Sequence, residues 1–300
     1  MPDVLVIGTI GYDTVETPFG KRERVLGGSA SYASIACSFF SAPSIVAIVG
    51  EDFQEQHREL FLKKNISLTG LKQVPGKTFA WGGKYEYDMN EAKTAFTDLN
   101  TLLEFDAHVP QTMRNMPFIF LANTDPVLQL KVLEQLQTPQ FIVMDTMNFW
   151  IQTKKKELLE VIKKVNVLLL NDGEARMLFN TVNLLQAAQQ ALALGPSFVI
   201  IKKGEHGALL FSKEKHFNAP GYPLEIIKDP TGCGDCFAGG FIGYIASTGK
   251  TDEMTLRKAI VYGSVVASFN AEDFSVERID RLTFSEIEKR YQEMKEIREF

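Results

Sequence analysis

A short glycine-rich stretch late in the chain contains the residue types and the spacing that best suit chemistry. It runs from Asp229 to Gly240 with the sequence DPTGCGDCFAGG, and it leads directly into an apolar segment, 241–245, that is predicted to be helical. The first amides of a helix have no partner within the helix and favour anions, and glycine lets the backbone approach a ligand closely. Asp235 adds a carboxylate at the same point. An anion site beside a carboxylate predicts phosphoryl transfer onto a hydroxyl group.

The same stretch contains two cysteines, which support a different chemistry. Cys233 and Cys236 form a Cys-x-x-Cys motif at a predicted helix start, a setting that lowers thiol pKa values in redox proteins. The small residues on either side of the motif instead suit close approach of the backbone to a ligand. Zinc binding would need two more ligands at suitable spacing, and the four histidines are scattered. A dithiol protein and a simple N-capped helix therefore stand as alternatives to phosphoryl transfer.

Composition and charge limit the classes of function and partner. Of the 300 residues, 45% are hydrophobic and 23% are charged, which is ordinary for a soluble globular protein. The net charge of -5 argues against a general nucleic-acid-binding role, which needs a basic face. The sequence shows no signal peptide, and no apolar run approaches the roughly 20 residues that span a membrane. Three cysteines indicate no disulfide framework, so we expect a cytoplasmic protein with neither a membrane nor a nucleic-acid partner.

Apolar runs that alternate with helical segments must position this chemistry. Short runs rich in branched residues predict buried strands over 4–7, 44–49, 118–121, 141–144, 167–170, 198–201 and 208–211. Helical segments are predicted between and after them, including 233–247 and 252–270. This alternation predicts an α/β fold, in which helices cover both faces of a mostly parallel central sheet. Ligands of such sheets bind beyond the carboxyl ends of the strands, where several polar loops of this chain fall.

Residues 67–98 break the alternation of strands and helices. They contain aromatic residues in partly alternating extended segments, namely Phe79, Trp81, Tyr85 and Tyr87. Together with residues 14–26 they are predicted to form a small β-sheet that stands off the main body as a lid. The predicted organisation is a single domain, 1–300, with a lid formed by about 14–26 and 67–98. The lid aromatics are expected either to stack on a substrate or to pack within the lid or a homodimer contact.

Four motifs along the chain together resemble the signature of one known family. They are Gly8-Thr9-Ile10-Gly11-Tyr12-Asp13 with Gly27-Gly28 opening a helix, Asn171-Asp172-Gly173-Glu174, Lys203-Gly204-Glu205-His206-Gly207, and Asp-x-Thr-Gly-x-Gly-Asp at 229–235. In this order, and with a small-residue helix after the last motif, they resemble the PfkB/ribokinase family of carbohydrate and nucleoside kinases. The matches span residues 8–240. The resemblance implies a ribokinase-like fold.

The resemblance implies roles for residues on the phosphoryl-transfer side. Asp235 would accept the proton of the substrate hydroxyl, and the helix dipole is expected to keep its carboxylate ionised. Asn171 and Glu174 would organise Mg²⁺, with Glu174 acting through water because magnesium keeps much of its hydration. The amides that would bind the phosphoryl oxygens are those of Gly232, Cys233 and Gly234. The residues that would line the nucleotide are Lys202, Lys203, Gly204 and Gly207.

The substrate side departs from the family pattern at several positions. Gly11 and Tyr32 stand where the family commonly has asparagine, and the loop 145–150 lacks the expected Asp-x-Asn-x-Arg pattern. Asp13 would accept hydrogen bonds from substrate hydroxyls, and the paired glycines would let a sugar approach the backbone. The candidate substrate-binding residues are Asp13, Gly27, Gly28, Tyr32 and Asn148.

The resemblance also implies cofactors and partners. ATP and Mg²⁺ are the expected cofactors, with potassium as a further candidate. Asp229 and Thr231 match positions that hold a monovalent cation in some members of the family, although Pro230 differs from the commoner residue. The expected partner is a sugar or nucleoside substrate, and the aromatic lid suggests a homodimer.

Taken together, the motifs predict an ATP-dependent phosphotransferase that acts on a primary hydroxyl of a sugar or a sugar-containing small molecule. The reaction would be direct in-line transfer with Asp235 as the base. A nucleoside kinase is the alternative, because Tyr32 and the lid aromatics could favour a stacked base. A non-catalytic sensor of sugars or nucleotides is less favoured because Asp235 is retained.

Overall fold

The computed structural model describes residues 3–90 and 92–298, which contain thirteen β-strands and eleven α-helices. The strands are β1 (Asp3–Ile7), β2 (Gly11–Thr17), β3 (Gly20–Gly27), β4 (Ala42–Gly50), β5 (Ser67–Val74), β6 (Phe79–Tyr85), β7 (Ala92–Asp98), β8 (Phe118–Leu121), β9 (Phe141–Met144), β10 (Val167–Asn171), β11 (Phe198–Lys202), β12 (Ala208–Phe211) and β13 (His216–Ala219). The helices are α1 (Ser29–Cys37), α2 (Glu55–Lys63), α3 (Pro126–Gln135), α4 (Asn148–Thr153), α5 (Lys155–Ile162), α6 (Asp172–Phe179), α7 (Leu184–Leu194), α8 (Cys233–Thr248), α9 (Glu253–Asn270), α10 (Glu277–Asp280) and α11 (Phe284–Glu296). None of these helices is both long and apolar enough to cross a membrane.

A nine-stranded sheet forms the centre of the molecule, in the order β13-β12-β11-β10-β9-β8-β1-β4-β5. Neighbours from β11 to β5 pair in parallel, and only the β11–β12 and β12–β13 pairs are antiparallel. The inner strands consist almost wholly of buried apolar residues because each is covered on both faces. The predicted α/β fold with a mostly parallel central sheet is therefore confirmed.

Successive residues of the central strands point into two separate hydrophobic cores. In β1, Val4 and Val6 pack with residues of α1, α8 and α9, whereas Leu5 and Ile7 pack with residues of α3, α5, α6 and α7. Side chains of a strand alternate between the two faces of its sheet, so one run of apolar residues serves both cores. Helices thus cover both faces of the sheet, as predicted.

Helix α8 lies close to α1 and α9 because glycines line its contacts. A side-chain carbon at Gly239 would lie 2.1 Å from the carbonyl oxygen of Ala33 in α1. One at Gly263 in α9 would lie 2.6 Å from the carbonyl oxygen of Phe237 in α8. Both separations are far shorter than van der Waals contact, so only glycine allows this approach. The packing fixes the start of α8, and with it the glycine-rich stretch 229–240.

A second sheet has four strands in the order β3-β2-β6-β7, which fall within residues 11–27, 79–85 and 92–98. Its central pair, β2 and β6, is parallel, and the two outer pairs are antiparallel. The range 67–98 expected for the lid begins too early, because residues 67–74 form β5 and pair with β4 of the large sheet. As an edge strand, β5 is only partly buried and has no continuous apolar run, so its sequence resembles that of the small sheet.

Candidate active site

The carboxyl ends of three adjacent strands bring together the residues of the phosphoryl-transfer side. Asp145 follows β9, Asn171 ends β10, and Lys202 ends β11. Asn171 and Lys202 are directly paired in the register of their strands. The start of α8 approaches the same edge, since a side-chain carbon at Gly234 would lie 3.2 Å from Nζ of Lys202. The site thus forms beyond the strand ends, where open α/β sheets bind ligands.

The first turn of α8 supplies free amides for an anion. Gly232 is the N-cap residue and has a φ of 76°, a left-handed conformation that favours glycine. The amide of Cys233, which we expected to bind phosphoryl oxygens, already donates to the carbonyl of Pro230 at 3.1 Å. The amides of Gly232, Gly234 and Asp235 have no acceptor among the described residues. These three, rather than the predicted set that includes Cys233, are the donors available to an anion.

Asp235 is half-buried in this first turn. Burial and, after it, the negative charge of Asp145 raise the pKa of Asp235 to about 7, against the opposing effect of Lys202. We expected the helix dipole to keep this carboxyl ionised, but burial outweighs the dipole, and the carboxylate predominates only above about pH 7. The group can therefore take up and release a proton near neutral pH.

An ion pair joins Lys202 to Asp145 at the strand ends. Nζ of Lys202 donates to Oδ2 of Asp145 at 2.5 Å, and Asp145 is only 3% exposed. Although burial lowers the pKa of Lys202, the charges of Asp145 and Glu174 outweigh it and raise that pKa, so the amine is protonated. The only signal for this pair in the sequence is that Asp145 and Lys202 each lie at the end of a predicted buried strand, and the structure places these strands on either side of β10.

Asn171 and Glu174 form a capping box at the start of α6. Oδ1 of Asn171 accepts from the Glu174 amide, and Oε2 of Glu174 accepts from the Asn171 amide, both at 2.7 Å. Burial and the charge of Asp145 raise the pKa of Glu174 to about 7, while Lys202 lowers it. The cap occupies one carboxylate oxygen of Glu174 and leaves Oε1 for a ligand.

This arrangement fits magnesium held mainly through water. In residues 3–90 and 92–298 no three His, Cys, Asp or Glu side chains are grouped so that they could hold a metal ion. Mg²⁺ usually keeps several waters and binds through one or two carboxylates together with substrate phosphates. Oε1 of Glu174, which its capping bond leaves without a partner among the described residues, suits that use.

A tight turn after β11 contains the predicted nucleotide-binding residues. Gly204 and Gly207 have φ values of 55° and 82°, which favour glycine, and the Lys203 amide donates to the Gly207 carbonyl at 2.7 Å. A side-chain carbon at Gly204 would lie 3.2 Å from Oδ1 of Asn90, in the hairpin loop between β6 and β7. The turn therefore lies next to Lys202 and under the tip of the small sheet.

The small sheet makes a second contact with the site through Tyr85. Oγ1 of Thr231 donates to the Tyr85 hydroxyl at 3.3 Å, and Tyr85 is 8% exposed. The sequence identified Tyr85 only as one of several lid aromatics, because nothing in a strand pattern shows which residue faces the α8 loop. Through Tyr85 and Asn90 the small sheet contacts loops on the large sheet.

Asp13 is buried in β2 and lies directly against β3. A side-chain carbon at Gly27 would lie 2.0 Å from Oδ2 of Asp13, so only glycine leaves room for the carboxylate. The hydroxyl of Tyr32 donates to the same oxygen at 3.4 Å. Burial raises the pKa of Asp13 to about 7, with help from the charges of Asp229 and Asp235 and against the effect of Tyr32.

Tyr32 connects Asp13 to the start of α8. Its ring lies against Gly232, where a side-chain carbon would come within 2.4 Å of it. With 1% of its surface exposed, Tyr32 orients Asp13 and offers little surface of its own to a substrate.

Gly28 caps α1 at a φ of 92°, and a side-chain carbon there would lie 2.5 Å from the carbonyl oxygen of Thr9.

The two other departures from the family pattern have different outcomes. The ring of Phe79 fills the space beside Gly11, where a side-chain carbon would lie 2.5 Å from it. Asn148 is exposed at the start of α4, and its Oδ1 accepts from the amide of Phe149 at 2.8 Å. The Phe79 ring thus occupies the space that a side chain at position 11 would need, and the Asn148 side chain bonds within its own helix start.

The residues expected to hold a monovalent cation are already hydrogen-bonded within the chain. Asp229 is fully buried and accepts from the amides of Thr231 at 2.9 Å and Ser275 at 3.3 Å. The carbonyl oxygen of Thr231 accepts from Nδ2 of Asn270 at 2.8 Å. A carbonyl or carboxylate oxygen that accepts one hydrogen bond keeps a further lone pair. Binding of a monovalent cation by Asp229 and Thr231 therefore stays a prediction.

The two cysteines of α8 lack the environment of redox-active thiols. Burial raises the pKa of Cys233 to about 12 and raises that of Cys236 well above its usual value. Reactive dithiols need a lowered pKa, because the thiolate is the nucleophile. The structure therefore argues against the dithiol alternative.

One family model and several known proteins are similar to this chain. The model of the pfkB family carbohydrate kinases matches residues 1–279. The cytidine kinase of Thermococcus kodakarensis is 28% identical over 263 residues, which cover 86% of this chain and 93% of that protein. The crystal structure of the Methanocaldococcus jannaschii nucleoside kinase has a TM-score of 0.79 at 20% identity, and the match covers 98% of this chain and 99% of that one. A ribokinase-family structure from E. coli in complex with ATP and Mg²⁺ has a TM-score of 0.80 at 18% identity, over 98% of this chain and 100% of that one.

We predict that two aspartate carboxyls titrate near neutral pH in the ligand-free protein. The carboxyl carbon signals of Asp13 and Asp235 in ¹³C-aspartate-labelled protein should have midpoints of about 7, because removal from water and the charges of neighbouring carboxylates raise both pKa values. A free aspartate titrates near 4. Asp13→Asn should remove one of these signals and Asp235→Asn the other. Midpoints below pH 5 for both carboxyls would contradict the electrostatics described for the site.

Proposed function

The chain belongs to the pfkB family of carbohydrate kinases, and we propose that it transfers the γ-phosphoryl group of ATP to the primary hydroxyl group of a nucleoside. One observation carries the phosphoryl-transfer part of this proposal, the presence of free amides and a carboxylate in a single helical turn. Gly232 and Gly234 offer donors for phosphoryl oxygens, and Asp235 offers an acceptor for the hydroxyl proton. The match of the family model supports the same reaction class.

In the proposed mechanism Asp235 is the general base. Phosphoryl transfer depends mainly on positioning and charge stabilisation, so a carboxylate whose pKa is about 7 is basic enough to accept the proton. The amides of Gly232 and Gly234 are aligned by the helix and need no rearrangement when charge develops on the phosphoryl group. The start of α8 would thus both bind the phosphoryl group and accept the proton of the substrate hydroxyl.

The donor nucleotide would lie along the turn after β11. Lys203, Gly204 and Gly207 border it, and the E. coli structure with ATP and Mg²⁺ supports the same donor and metal for this chain. Mg²⁺ neutralises phosphate charge when it is bound. Glu174 would hold the hydrated ion through Oε1, which its capping bond leaves available.

The small sheet favours a nucleoside over a simple sugar. Asp13 pairs with Trp81 in the parallel register of β2 and β6, so both side chains lie on one face of the sheet. The Trp81 ring lies over Gly83, where a side-chain carbon would come within 2.2 Å of it, and Tyr85 continues the same face of β6 towards Thr231. Aromatic rings beside Asp13, the candidate substrate-binding residue, offer a stacking surface for a base. We propose that the chain is a single domain and that the small sheet acts as its lid and excludes water from the site. The names of the Thermococcus and Methanocaldococcus relatives, a cytidine kinase and a nucleoside kinase, support this substrate class.

A coupled assay of ADP release tests the substrate class. We expect turnover with nucleosides and much less with free pentoses or hexoses. Trp81→Ala should raise the KM for the nucleoside by about 5- to 150-fold, since base stacking contributes about 1–3 kcal/mol per base. Tyr87→Ala is the matched control, because this aromatic residue is 89% exposed on the hairpin loop and should leave KM unchanged. Turnover with sugars alone, or an unchanged KM in Trp81→Ala, would contradict the nucleoside assignment.

We further propose that two copies of the chain associate through the edge of the small sheet. Strand β7 is the last strand of that sheet, and residues 93–98 are all exposed, including the apolar side chain of Phe96. An open strand edge readily pairs with a second one, and Phe96 adds an exposed apolar side chain at this edge. Sedimentation should give a dimer mass for the native protein and a monomer mass for Phe96→Asp. A monomeric native protein would contradict the proposal.

A cytoplasmic location is part of the same proposal. The three cysteines, Cys37, Cys233 and Cys236, are all free thiols, and none forms a disulfide. Free thiols suit a reducing compartment.

A further inference from the structure

We propose that Lys202 is a further catalytic residue, whose ammonium group contacts the phosphoryl group while it is transferred. The proposal deepens the kinase function and rests on it. The family resemblance predicted only that Lys202 lines the nucleotide. The structure instead directs its side chain towards the start of α8, where Gly234 and Asp235 lie.

The ammonium group of Lys202 lies close to Gly234, as the room for a side chain at Gly234 shows. A side-chain carbon at Gly234 would lie 3.2 Å from Nζ of Lys202 and 4.0 Å from its Cε, so the amine lies over the first turn of α8. The free amides of Gly232 and Gly234 belong to the same turn. A phosphoryl group bound by these amides therefore comes within reach of Nζ.

The carboxylate of Asp145 holds the ammonium group in this place. It accepts from Nζ at 2.5 Å through Oδ2, while its Oδ1 accepts from the Thr146 amide at 2.9 Å. Both oxygens of Asp145 are therefore fixed, and the pair is largely shielded from solvent. Among the described residues Nζ donates only to Asp145, and an ammonium group has three donors. Two donors of Lys202 are thus left for a ligand.

The site gathers several negative charges, and Lys202 supplies a full positive charge that neutral amides cannot supply. Lys202 lowers the pKa of both Asp235 and Glu174, which shows that its charge acts on the proposed base and on the proposed magnesium ligand. The charges of three carboxyls, those of Asp145, Glu174 and Asp235, all act on this one ammonium group and raise its pKa. The phosphates of ATP add more negative charge, and a full positive charge beside the amide donors opposes it.

Lys202 donates no proton in the proposed step. The substrate hydroxyl oxygen forms a bond to the γ-phosphorus as the bond between that phosphorus and the β,γ-bridging oxygen breaks. ADP leaves with the electron pair, and the hydroxyl proton goes to Asp235. Lys202 stabilises the negative charge on the equatorial oxygens of the phosphoryl group, in the manner of an added donor in an anion hole.

If the Asp145–Lys202 pair only stabilised the fold, substitution of Lys202 would also reduce activity. A single variant therefore cannot separate a catalytic role from a structural one. Lys202→Met leaves the Asp145 carboxylate buried without its partner, which destabilises the fold. The double variant Asp145→Asn/Lys202→Met removes both charges and should recover the thermal midpoint. Lys213→Met, at an exposed turn after β12, is the matched control.

The decisive measurement compares transfer rate and nucleotide binding in the double variant. We expect the single-turnover rate to fall by about 10²- to 10³-fold, as on removal of one anion-hole donor, while Lys213→Met keeps the wild-type rate. The affinity for ATP, measured by calorimetry, should fall at least about fivefold relative to that for ADP, because only ATP carries the γ-phosphoryl group. This ratio needs no acceptor, so it tests Lys202 even if the nucleoside proposal fails. A folded double variant with an unchanged ATP-to-ADP affinity ratio would overturn the proposal, as would a rate within threefold of wild type.

Discussion

Negative charge gathered around one helix start is the constraint on which the rest of the structure depends. Burial raises the pKa values of Asp13, Glu174 and Asp235 to about 7, and the neighbouring carboxylates add to the shift in each case. Carboxylates brought together out of water repel one another unless donors compensate them. Here Lys202 lowers the pKa values of Glu174 and Asp235, and Tyr32 lowers that of Asp13. In the proposed reaction Lys202 also contacts the phosphoryl group, so the same charge acts in the ligand-free protein and during transfer.

The fold satisfies this constraint by placing parallel strand ends and a glycine-rich helix at one edge. Asp145, Asn171 and Lys202 follow one another across β9, β10 and β11, which fixes their spacing through the sheet rather than through loops. Helix α8 approaches them because Gly239 lets it pack against the backbone of α1. Site geometry is thus set by rigid elements, and the small sheet contributes Asp13 from β2 and contacts the α8 loop through Tyr85 of β6.

Much of this architecture could be predicted from the sequence, because it follows from local patterns. Buried strands such as β8 and β9 are short branched runs, and the glycines at 232 and 234 mark a helix start that can bind an anion. What escaped prediction depends on contacts between distant segments. The edge strand β5 has no strong apolar signal, the pairing of Lys202 with Asp145 joins residues 57 positions apart, and the Phe79 ring beside Gly11 comes from another strand. The raised pKa of Asp235 also depends on tertiary burial, which outweighs a helix dipole that local sequence does reveal.

The central claim is that Asp235, in the first turn of α8, takes the proton from the acceptor hydroxyl. The most direct test is the single-turnover rate of phosphoryl transfer in Asp235→Asn, measured with saturating ATP and nucleoside and compared with Asp88→Asn in the exposed hairpin loop. The proposed mechanism predicts a loss of about 10²- to 10⁴-fold in Asp235→Asn with ATP affinity retained, and no loss in Asp88→Asn. A rate for Asp235→Asn equal to that of the unsubstituted protein would contradict it.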